Sequence, residues 1–247
     1  MIKLVRHLGL YFIMMKKVIS TPEKWSVFRK QLTLEMGKIG LNSVSLVIIL
    51  SFFVGAVVSI QTAINISDPF LPSYLVGLAS RDSLILEFSP TMISLILAGK
   101  VGSSIASEIG SMRVTEQIDA LEIMGINSAS FLIFPKIIAA VLFFPFLIIM
   151  SMGVGMIGAW IGAISAADIT TSDFMYGLKY EFIPFYITYA MIKTFFFAFI
   201  ISSVSAYFGY HTKGGAIAVG KSSTTAVVAS SILILLFNYL LTDIILA

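Results

Sequence analysis

The chain has 247 residues, of which 58% are hydrophobic and only 12% charged, and its mean hydropathy is +0.99. This composition excludes an ordinary soluble domain and indicates a polytopic membrane protein. The sequence has no cysteine for disulfides or iron–sulfur clusters, and its two histidines lie too far apart to suggest a metal site. Although the formal charge is +3, Lys and Arg in a membrane protein report topology, so no nucleic-acid partner is expected.

Residues 1–40 are predicted to form an amino-terminal interfacial region that precedes a single transmembrane domain, 41–247. Apolar residues recur at helical spacing over Leu4–Met15 and again over Trp25–Ile39, and Thr21-Pro22 supplies a cap and a first-turn proline. Basic residues between the two stripes would meet anionic headgroups, so we expect an amphipathic helix on the inner leaflet. The alternative is a basic flank that packs on the helix bundle.

Five apolar windows of about 20 residues or more, each long enough to cross about 30 Å of hydrocarbon, predict an all-α fold with five transmembrane helices. They lie near 43–65, 84–106, 137–164, 182–207 and 224–246. The third window is long enough for a hairpin of two short helices. If this window is a single helix, Arg81 and Lys179 lie on one side of the membrane and the other Lys and Arg residues of the loops lie on the opposite side. The positive-inside rule then predicts a cytoplasmic amino terminus and an external carboxyl terminus.

Small residues repeat at helical spacing within the spans, and such repeats are typical of close helix packing. Gly102, Ala106 and Gly110 are four residues apart, as are Gly158 and Gly162. These repeats indicate a helix bundle and carry no information about a ligand.

Two ionisable residues lie within spans, where an uncompensated charge is costly. Glu87 lies near the outer end of the second span, and it either reaches the headgroup region, makes a structural hydrogen bond or faces a cavity. Lys193 lies near the middle of the fourth span, which favours a polar cavity or a charge partner. Counted from the outer ends of the spans, the two differ in depth by about 12 Å, so a direct pair is not predicted. They would mark two levels of one outward-opening cavity.

The stretch Gly215–Ser222 matches the phosphate-loop pattern G-x-x-x-x-G-K-[ST]. A phosphate loop requires a preceding buried strand and a second acidic strand end for magnesium, whereas this stretch lies between two predicted spans. We therefore expect a flexible contact surface on the cytoplasmic face and no nucleotide site.

The segment ASEIGSMRVTEQIDALEIMGI, residues 106–126, lies between the second and third spans and has the pattern of an amphipathic helix near 108–125. Its apolar residues include Val114, Ile118 and Leu121, and its other face is acidic. The helix either rests on the membrane or binds a protein. Acidic residues are poorly suited to anionic headgroups, so a cytoplasmic protein is favoured, and a motor bound there would act on both spans.

The run from Ile96 to Ile126, ILAGKVGSSIASEIGSMRVTEQIDALEIMGI, resembles the signature region of the MlaE/YrbE family, the permeases of bacterial lipid-transporting ABC systems. The resemblance extends to LEFSPTMISLILAGK upstream and to FPKIIAAVLFFP and IKTFFFAFIISSVSAYFGYHTKGGAIAVGKSSTTAVV downstream. It covers most of residues 40–240.

The resemblance implies a homodimeric permease that moves phospholipid between the bacterial inner membrane and an outer tunnel, in maintenance of outer-membrane lipid asymmetry. It implies two cytoplasmic ABC ATPase subunits, which bind the ATP and magnesium, and a periplasmic hexamer of MCE-domain proteins. The chain itself would then be a transport subunit and not an enzyme, with no cofactor of its own. Candidate residues for coupling to the ATPase are Arg113, Thr115, Glu116, Asp119 and Glu122.

The resemblance also marks candidates for the lipid cavity. Where the family has Leu-Arg-Glu-Leu-Gly-Pro, this chain has Ile85-Leu-Glu-Phe-Ser-Pro90, which keeps Glu87 but replaces the preceding arginine by Leu86. That change removes the basis for a headgroup site built on an Arg–Glu pair. Lys193 matches an intramembrane lysine of the family. The facing first span would supply cavity walls at Val54, Val58 and Gln61.

Two other functions fit the residues alone. An ion-coupled secondary transporter without an ATPase would use Glu87 and Lys193 as coupling groups, although no matching interrupted helices mark an internal repeat. A membrane scaffold that does not transport would use the acidic segment only to recruit a soluble partner.

Overall fold

The computed structural model describes residues 2–19, 25–66, 70–167 and 169–246. These residues are overwhelmingly helical and none of them is in a strand, so the predicted all-α class is confirmed. The predicted helix start at Thr21-Pro22 and the side chain of Leu4 lie outside the described residues.

Helix α1 spans Ile2–Val18, and α2, Trp25–Glu35, continues through a π-helical turn, Met36–Leu41, into α3, Asn42–Asn65. Helix α4, Tyr74–Ser83, runs through a π-helical segment, Leu84–Met92, into α5, Ile93–Leu97. A further π-helical turn, Ala98–Gly102, leads into α6, Ser103–Val114. The remaining helices are α7, Gln117–Ile123, α8, Ser128–Ala167, α9, Thr171–Lys179, α10, Phe185–Tyr210, and α11, Ala216–Leu246.

Within the described ranges, five helical stretches are long and apolar enough to cross a membrane, which confirms the predicted number of spans. They are Trp25–Asn65, Tyr74–Val114, Ser128–Ala166, Phe185–Tyr210 and Ala216–Leu246. The third is one uninterrupted helix, so the hairpin alternative is excluded. The helical stretches of the first two spans begin well before the predicted windows, because α2 continues into α3 and α4 continues into α5 and α6 without a break.

The π-helical segment Leu84–Met92 contains Pro90, which lacks a backbone N–H and cannot continue a regular hydrogen-bond ladder. A wider π turn accommodates such an interruption without breaking the helix, and π turns are frequent at functional sites. The same segment carries Glu87.

The chain forms two compact units. The first unit comprises Met1–Asn42, Leu95–Phe143 and Phe197–Phe237, and the second comprises Ser43–Ser94, Phe144–Phe196 and Asn238–Ala247.

In the first unit, the predicted small-residue repeat, which begins at Gly102 just before α6 and continues along that helix, packs against α10. The backbone of Ala106 lies directly against Gly209, and Gly102 lies against Ser205. Helix α1 is fixed to α10 by side-chain hydrogen bonds: His7 Nδ1 lies 2.7 Å from the hydroxyl of Tyr207, and the hydroxyl of Tyr11 donates to Ser203 over 2.9 Å.

A buried lysine joins three helices of the first unit. The side chain of Lys136, on α8, is only 4% exposed, and its ammonium donates to Glu35 of α2 over 2.8 Å and to Glu108 of α6 over 2.5 Å. Lys38 donates to the other oxygen of Glu108 over 2.8 Å. Two carboxylates at one ammonium offset the cost of removing that charge from water.

In the second unit, α3 and α8 cross at almost direct backbone contact. Gly158 lies against the carbonyl of Phe52, and Gly55 lies against the carbonyl of Gly155. Beside this seam, the hydroxyl of Ser51 donates to Ser151 over 2.8 Å. Helices α4 and α9 pack through a similar contact of Gly77 and Gly177, above a core that includes Leu84 and Phe174.

Substitution of Gly158 by alanine should destabilise the protein by about 2 kcal/mol, because the added methyl group would overlap the Phe52 carbonyl and force α3 and α8 apart. The matched control is Gly153→Ala on the same helix, where the methyl group meets no atom within 4 Å. That change should be neutral or mildly stabilising, since alanine favours helix over glycine. Thermal unfolding in mild detergent compares the two variants, and equal midpoints would contradict the close crossing.

Candidate functional site

The intramembrane charges Lys193 and Glu87 form a direct ion pair in the second unit. The Lys193 ammonium donates to Glu87 Oε1 over 2.6 Å. The side chain of Lys193 is completely buried, whereas that of Glu87 is 42% exposed. The prediction that the two residues lie at different depths is therefore wrong. That prediction measured the depth of Glu87 from a span that begins near residue 84, but the helix that carries Glu87 begins at Tyr74.

Two further polar residues bind the Glu87 carboxylate. The Thr91 hydroxyl, one turn after Glu87, and the amide nitrogen of Asn238, on α11, each donate to Glu87 Oε2 over 3.0 Å. Thr91 also shares its hydrogen with Asn238 Oδ1, 3.0 Å away. Thr91 and Asn238 were not among the predicted site residues. The sequence offered one signal for Asn238, because an asparagine within an apolar span is unusual. We call Glu87, Thr91, Lys193 and Asn238 the Glu87 cluster.

An aromatic ring supports the buried ammonium from another side. Lys193 Nζ lies 4.3 Å from the centroid of the Tyr189 ring, within the range of a cation–π contact. The hydroxyl of Thr242 donates to the carbonyl of Asn238, so the Tyr189 hydroxyl is the donor in its 2.8 Å bond with Thr242. These contacts connect α10 to α11 and hold the lysine against the π-helical segment.

The predicted wall residues on α3 differ in their surroundings. Val58 is buried, Gln61 is exposed and Val54 is half-buried. Val54 lines a crevice together with Leu84 and Phe88, and the crevice is too narrow to hold a water molecule. The described part of a single chain therefore shows no lipid-sized space at Val54.

The predicted helix over 108–125 is divided into α6 and α7. The chain turns at Thr115 and Glu116. Glu116 adopts a left-handed backbone conformation with φ of 60°, which separates α6 from α7. Arg113 donates to Asp119 over 2.6 Å across this turn. Glu122 accepts hydrogen bonds of 2.9 Å from Ser128 and from Tyr210 of α10.

Helix α7 presents an exposed surface. Ile118 is fully buried and anchors the helix, but Ile123 is 87% exposed and Met124 is 65% exposed at its carboxyl end. Thr115 and Glu116 are exposed at its amino end. The surface that these residues form, apolar at one end and acidic at the other, is suited to a protein partner.

The predicted coupling residues Arg113 and Glu122 also line a basic pocket of about 230 Å³ in the first unit. Its other walls are Lys17, Tyr210, His211, Thr212 and Lys213. Burial lowers the pKa of His211, the hydrogen bond with the Tyr207 carbonyl opposes this shift, and the positive charges of Arg113 and Lys213 lower the pKa further. The hydrogen bonds from Ser128 and Tyr210 lower the pKa of the Glu122 carboxyl.

The phosphate-loop pattern has a different structure from the expected loop. The chain turns at Gly214, where φ is +118°, and α11 begins at Ala216, so Gly220, Lys221 and Ser222 are helical. The Ser222 hydroxyl donates to the Phe208 carbonyl over 2.7 Å. Backbone amides committed to a helix cannot cradle a phosphate, so most of the stretch that was expected to be a loop belongs to α11.

Glu87→Ala should cost about 3–5 kcal/mol of stability, because it leaves the fully buried Lys193 ammonium without its carboxylate. Lys193→Met should cost less, since Glu87 is partly exposed and keeps its bonds from Thr91 and Asn238. The double variant should be more stable than Glu87→Ala alone. Unfolding in detergent measures all three, and a Lys193→Met variant less stable than Glu87→Ala would contradict this asymmetry.

Acidification should destabilise the first unit through His211. Its folded-state pKa is depressed, so the unfolded chain takes up this proton first as the pH falls. The stability that His211 contributes is complete above about pH 6.5 and is lost as the pH falls through the folded-state pKa. Between about pH 7.5 and about pH 5.5, the wild type should lose more thermal stability than His211→Asn. Parallel pH profiles for the two proteins would refute this role.

Comparisons with known proteins agree with these features. The family model described as permease MlaE matches residues 32–244. A probable ABC transporter permease protein of Rickettsia bellii is 36% identical over 98% of this chain and 93% of its own length. A protein of Synechocystis with the same description is 35% identical over 84% of this chain and 78% of its own.

A plant protein is also similar. The chloroplastic protein TRIGALACTOSYLDIACYLGLYCEROL 1 of Arabidopsis thaliana is 34% identical over 85% of this chain and 59% of its own length. The family match spans the five transmembrane helices almost completely and includes both the Glu87 cluster and α7. The chain therefore belongs to the MlaE permease family, as a multi-pass membrane subunit of an ABC transporter.

Proposed function

We propose that the chain is the permease of an ATP-driven transporter that moves phospholipid between the bacterial inner membrane and an external tunnel of MCE-domain proteins, maintaining outer-membrane lipid asymmetry. The observation that carries this proposal is the Glu87 cluster. It places one partly exposed carboxylate in a unit whose helices also expose large apolar side chains such as Phe53 and Val57. An amphiphile needs this combination, because its acyl chains require apolar contact and its headgroup a small number of polar groups.

A homodimer would supply the lipid cavity between two copies of the chain. Helix α11 buries only 11% of its most apolar window, against 61% for α10. Helix α3 likewise exposes Phe53, Val57 and Ile64. These faces are available to a second copy or to lipid, and Val54, Val58 and Gln61 on α3 would then belong to the cavity wall together with the Glu87 cluster.

The motor would be a pair of cytoplasmic ABC ATPases, which bind ATP and magnesium and carry out the hydrolysis. Helix α7 and the preceding turn would dock into them, with Arg113, Thr115, Glu116, Asp119 and Glu122 as the coupling residues. Closure of the ATPases would move α7, narrow the cavity and push lipid towards a hexameric MCE-domain ring. Transport in the opposite direction would use the same parts.

The protein would reside in the bacterial inner membrane with a cytoplasmic amino terminus and a periplasmic carboxyl terminus. Residues 1–40 would form an interfacial region on the inner leaflet. In support, α1 exposes Leu8, Phe12 and Ile13, while the bonds of His7 and Tyr11 fix its other side. Membership in an ABC permease family favours this motor-driven function over an ion-coupled transporter or a scaffold that does not transport.

The proposal is tested by purifying the tagged chain from its native host in mild detergent and identifying bound proteins and lipids by mass spectrometry. An ABC ATPase, an MCE-domain protein and stoichiometric phospholipid are expected. A chain recovered without an ATPase in every mild detergent would remove the basis for a motor-driven mechanism.

The double variant Glu116→Lys/Ile123→Asp should lose most of the co-purifying ATPase. Glu116→Lys reverses an exposed charge, and Ile123→Asp places a new charge in the apolar part of the docking surface. The matched control is Phe70→Asp, which alters a residue that is 93% exposed and lies on the periplasmic side in the proposed topology. That control should retain the ATPase. Equal recovery of ATPase from both variants would exclude α7 as the docking element.

A further inference from the structure

We infer that the Glu87 cluster recognises a hydrogen-bond donor on the lipid headgroup, and therefore selects phospholipids with a primary ammonium over those whose headgroup is a bare phosphate. This inference rests on the proposed function and specifies its substrate class. It follows from which atoms of the cluster are exposed and which are already engaged.

The one cation of the cluster is closed to a ligand. Lys193 has no exposed surface, and its ammonium donates to Glu87 Oε1 over 2.6 Å and to the Leu86 carbonyl over 3.4 Å. The ring of Tyr189 covers it from a further direction. A lipid phosphate cannot reach Lys193 without displacing Glu87 from a bond that compensates a fully buried charge.

The neutral donors of the cluster are largely engaged as well. The hydroxyl hydrogen of Thr91 lies between Glu87 Oε2 and Asn238 Oδ1, and Thr91 is itself buried. One amide hydrogen of Asn238 goes to Glu87 Oε2. The other amide hydrogen of Asn238 is a single neutral donor, which binds phosphate more weakly than a cation does.

The side chain of Glu87 is 42% exposed, and its carboxylate accepts hydrogen bonds and donates none. Its neighbours in sequence, Leu86 and Phe88, are apolar and carry no charge to attract an anion. An ammonium placed here gains a charge-assisted hydrogen bond, whereas a phosphate placed here faces a like charge. Ethanolamine supplies both positive charge and N–H donors, choline supplies charge alone, and phosphatidic acid supplies no positive charge.

The test uses the purified transporter complex, incubated in detergent with equal amounts of phosphatidylethanolamine, phosphatidylcholine, phosphatidylglycerol and phosphatidic acid of matched acyl chains. Bound lipids are extracted and quantified by mass spectrometry. The wild type should enrich phosphatidylethanolamine about tenfold over phosphatidic acid, the scale expected of one charge-assisted hydrogen bond. Phosphatidylcholine should fall between them.

Two variants separate recognition from folding. Glu87→Gln keeps an acceptor for Lys193 but removes the charge, and it should bring the four lipids to within about twofold of one another. Leu86→Arg keeps the four residues of the cluster and adds a cation at the adjacent position, so it should shift binding towards phosphatidic acid. Leu86→Met is its matched control and should retain the wild-type preference.

The inference is overturned if the wild type binds all four lipids equally or prefers phosphatidic acid. It is also overturned if phosphatidylglycerol, whose donors are hydroxyls, matches phosphatidylethanolamine, or if Glu87→Gln keeps the original preference. Binding of lipid without selectivity would leave the proposed function intact. Failure of every variant and of the wild type to bind any lipid would overturn the proposed function as well.

Discussion

The structure of the second unit depends on the compensation of one ammonium, that of Lys193, within a membrane-spanning helix. A charge in hydrocarbon is tolerated only with a partner, and here the partner is brought by another helix. Glu87 reaches Lys193 from a π-helical segment that also contains Pro90, and Asn238 from α11 fixes the second carboxylate oxygen. Three helices are thus held by one charge and its acceptor.

The first unit uses the same device with different residues. Lys136 of α8 is buried and binds Glu35 of α2 and Glu108 of α6. The two clusters differ in how their charges are paired. Lys136 binds two carboxylates and Glu108 is shared between two lysines, whereas Glu87 has a single cation and two neutral donors, Thr91 and Asn238. The first cluster is therefore a network of charges, and the second is a single ion pair with neutral partners.

Hydropathy and charge were sufficient to predict the five spans, because the length of each apolar run and the distribution of Lys and Arg can be read directly from the sequence. They also favoured a single helix at α8, as observed. The ends of the helices were not predictable in this way. Helix α4 joins the second span because it packs on α9 through Gly77 and Gly177, a contact that no local pattern encodes.

The candidate site was only partly predictable for the same reason. Lys193 and Glu87 are conspicuous in sequence as charges within apolar runs, but their pairing depends on helix ends that the sequence did not define. Asn238 is 151 residues from Glu87, and only the folded chain brings them together. The division between α6 and α7 likewise depends on a left-handed backbone at Glu116, a residue type that seldom adopts it.

The buried charge of Lys193 limits how the Glu87 cluster can change. The Lys193 side chain is completely buried, and its ammonium donates to Glu87 over 2.6 Å. Because Lys193 cannot leave Glu87 without exposing an unpaired ammonium to hydrocarbon, the pair would move as one body. The part of the site that changes during transport would then be the surroundings of the carboxylate and not the ion pair itself.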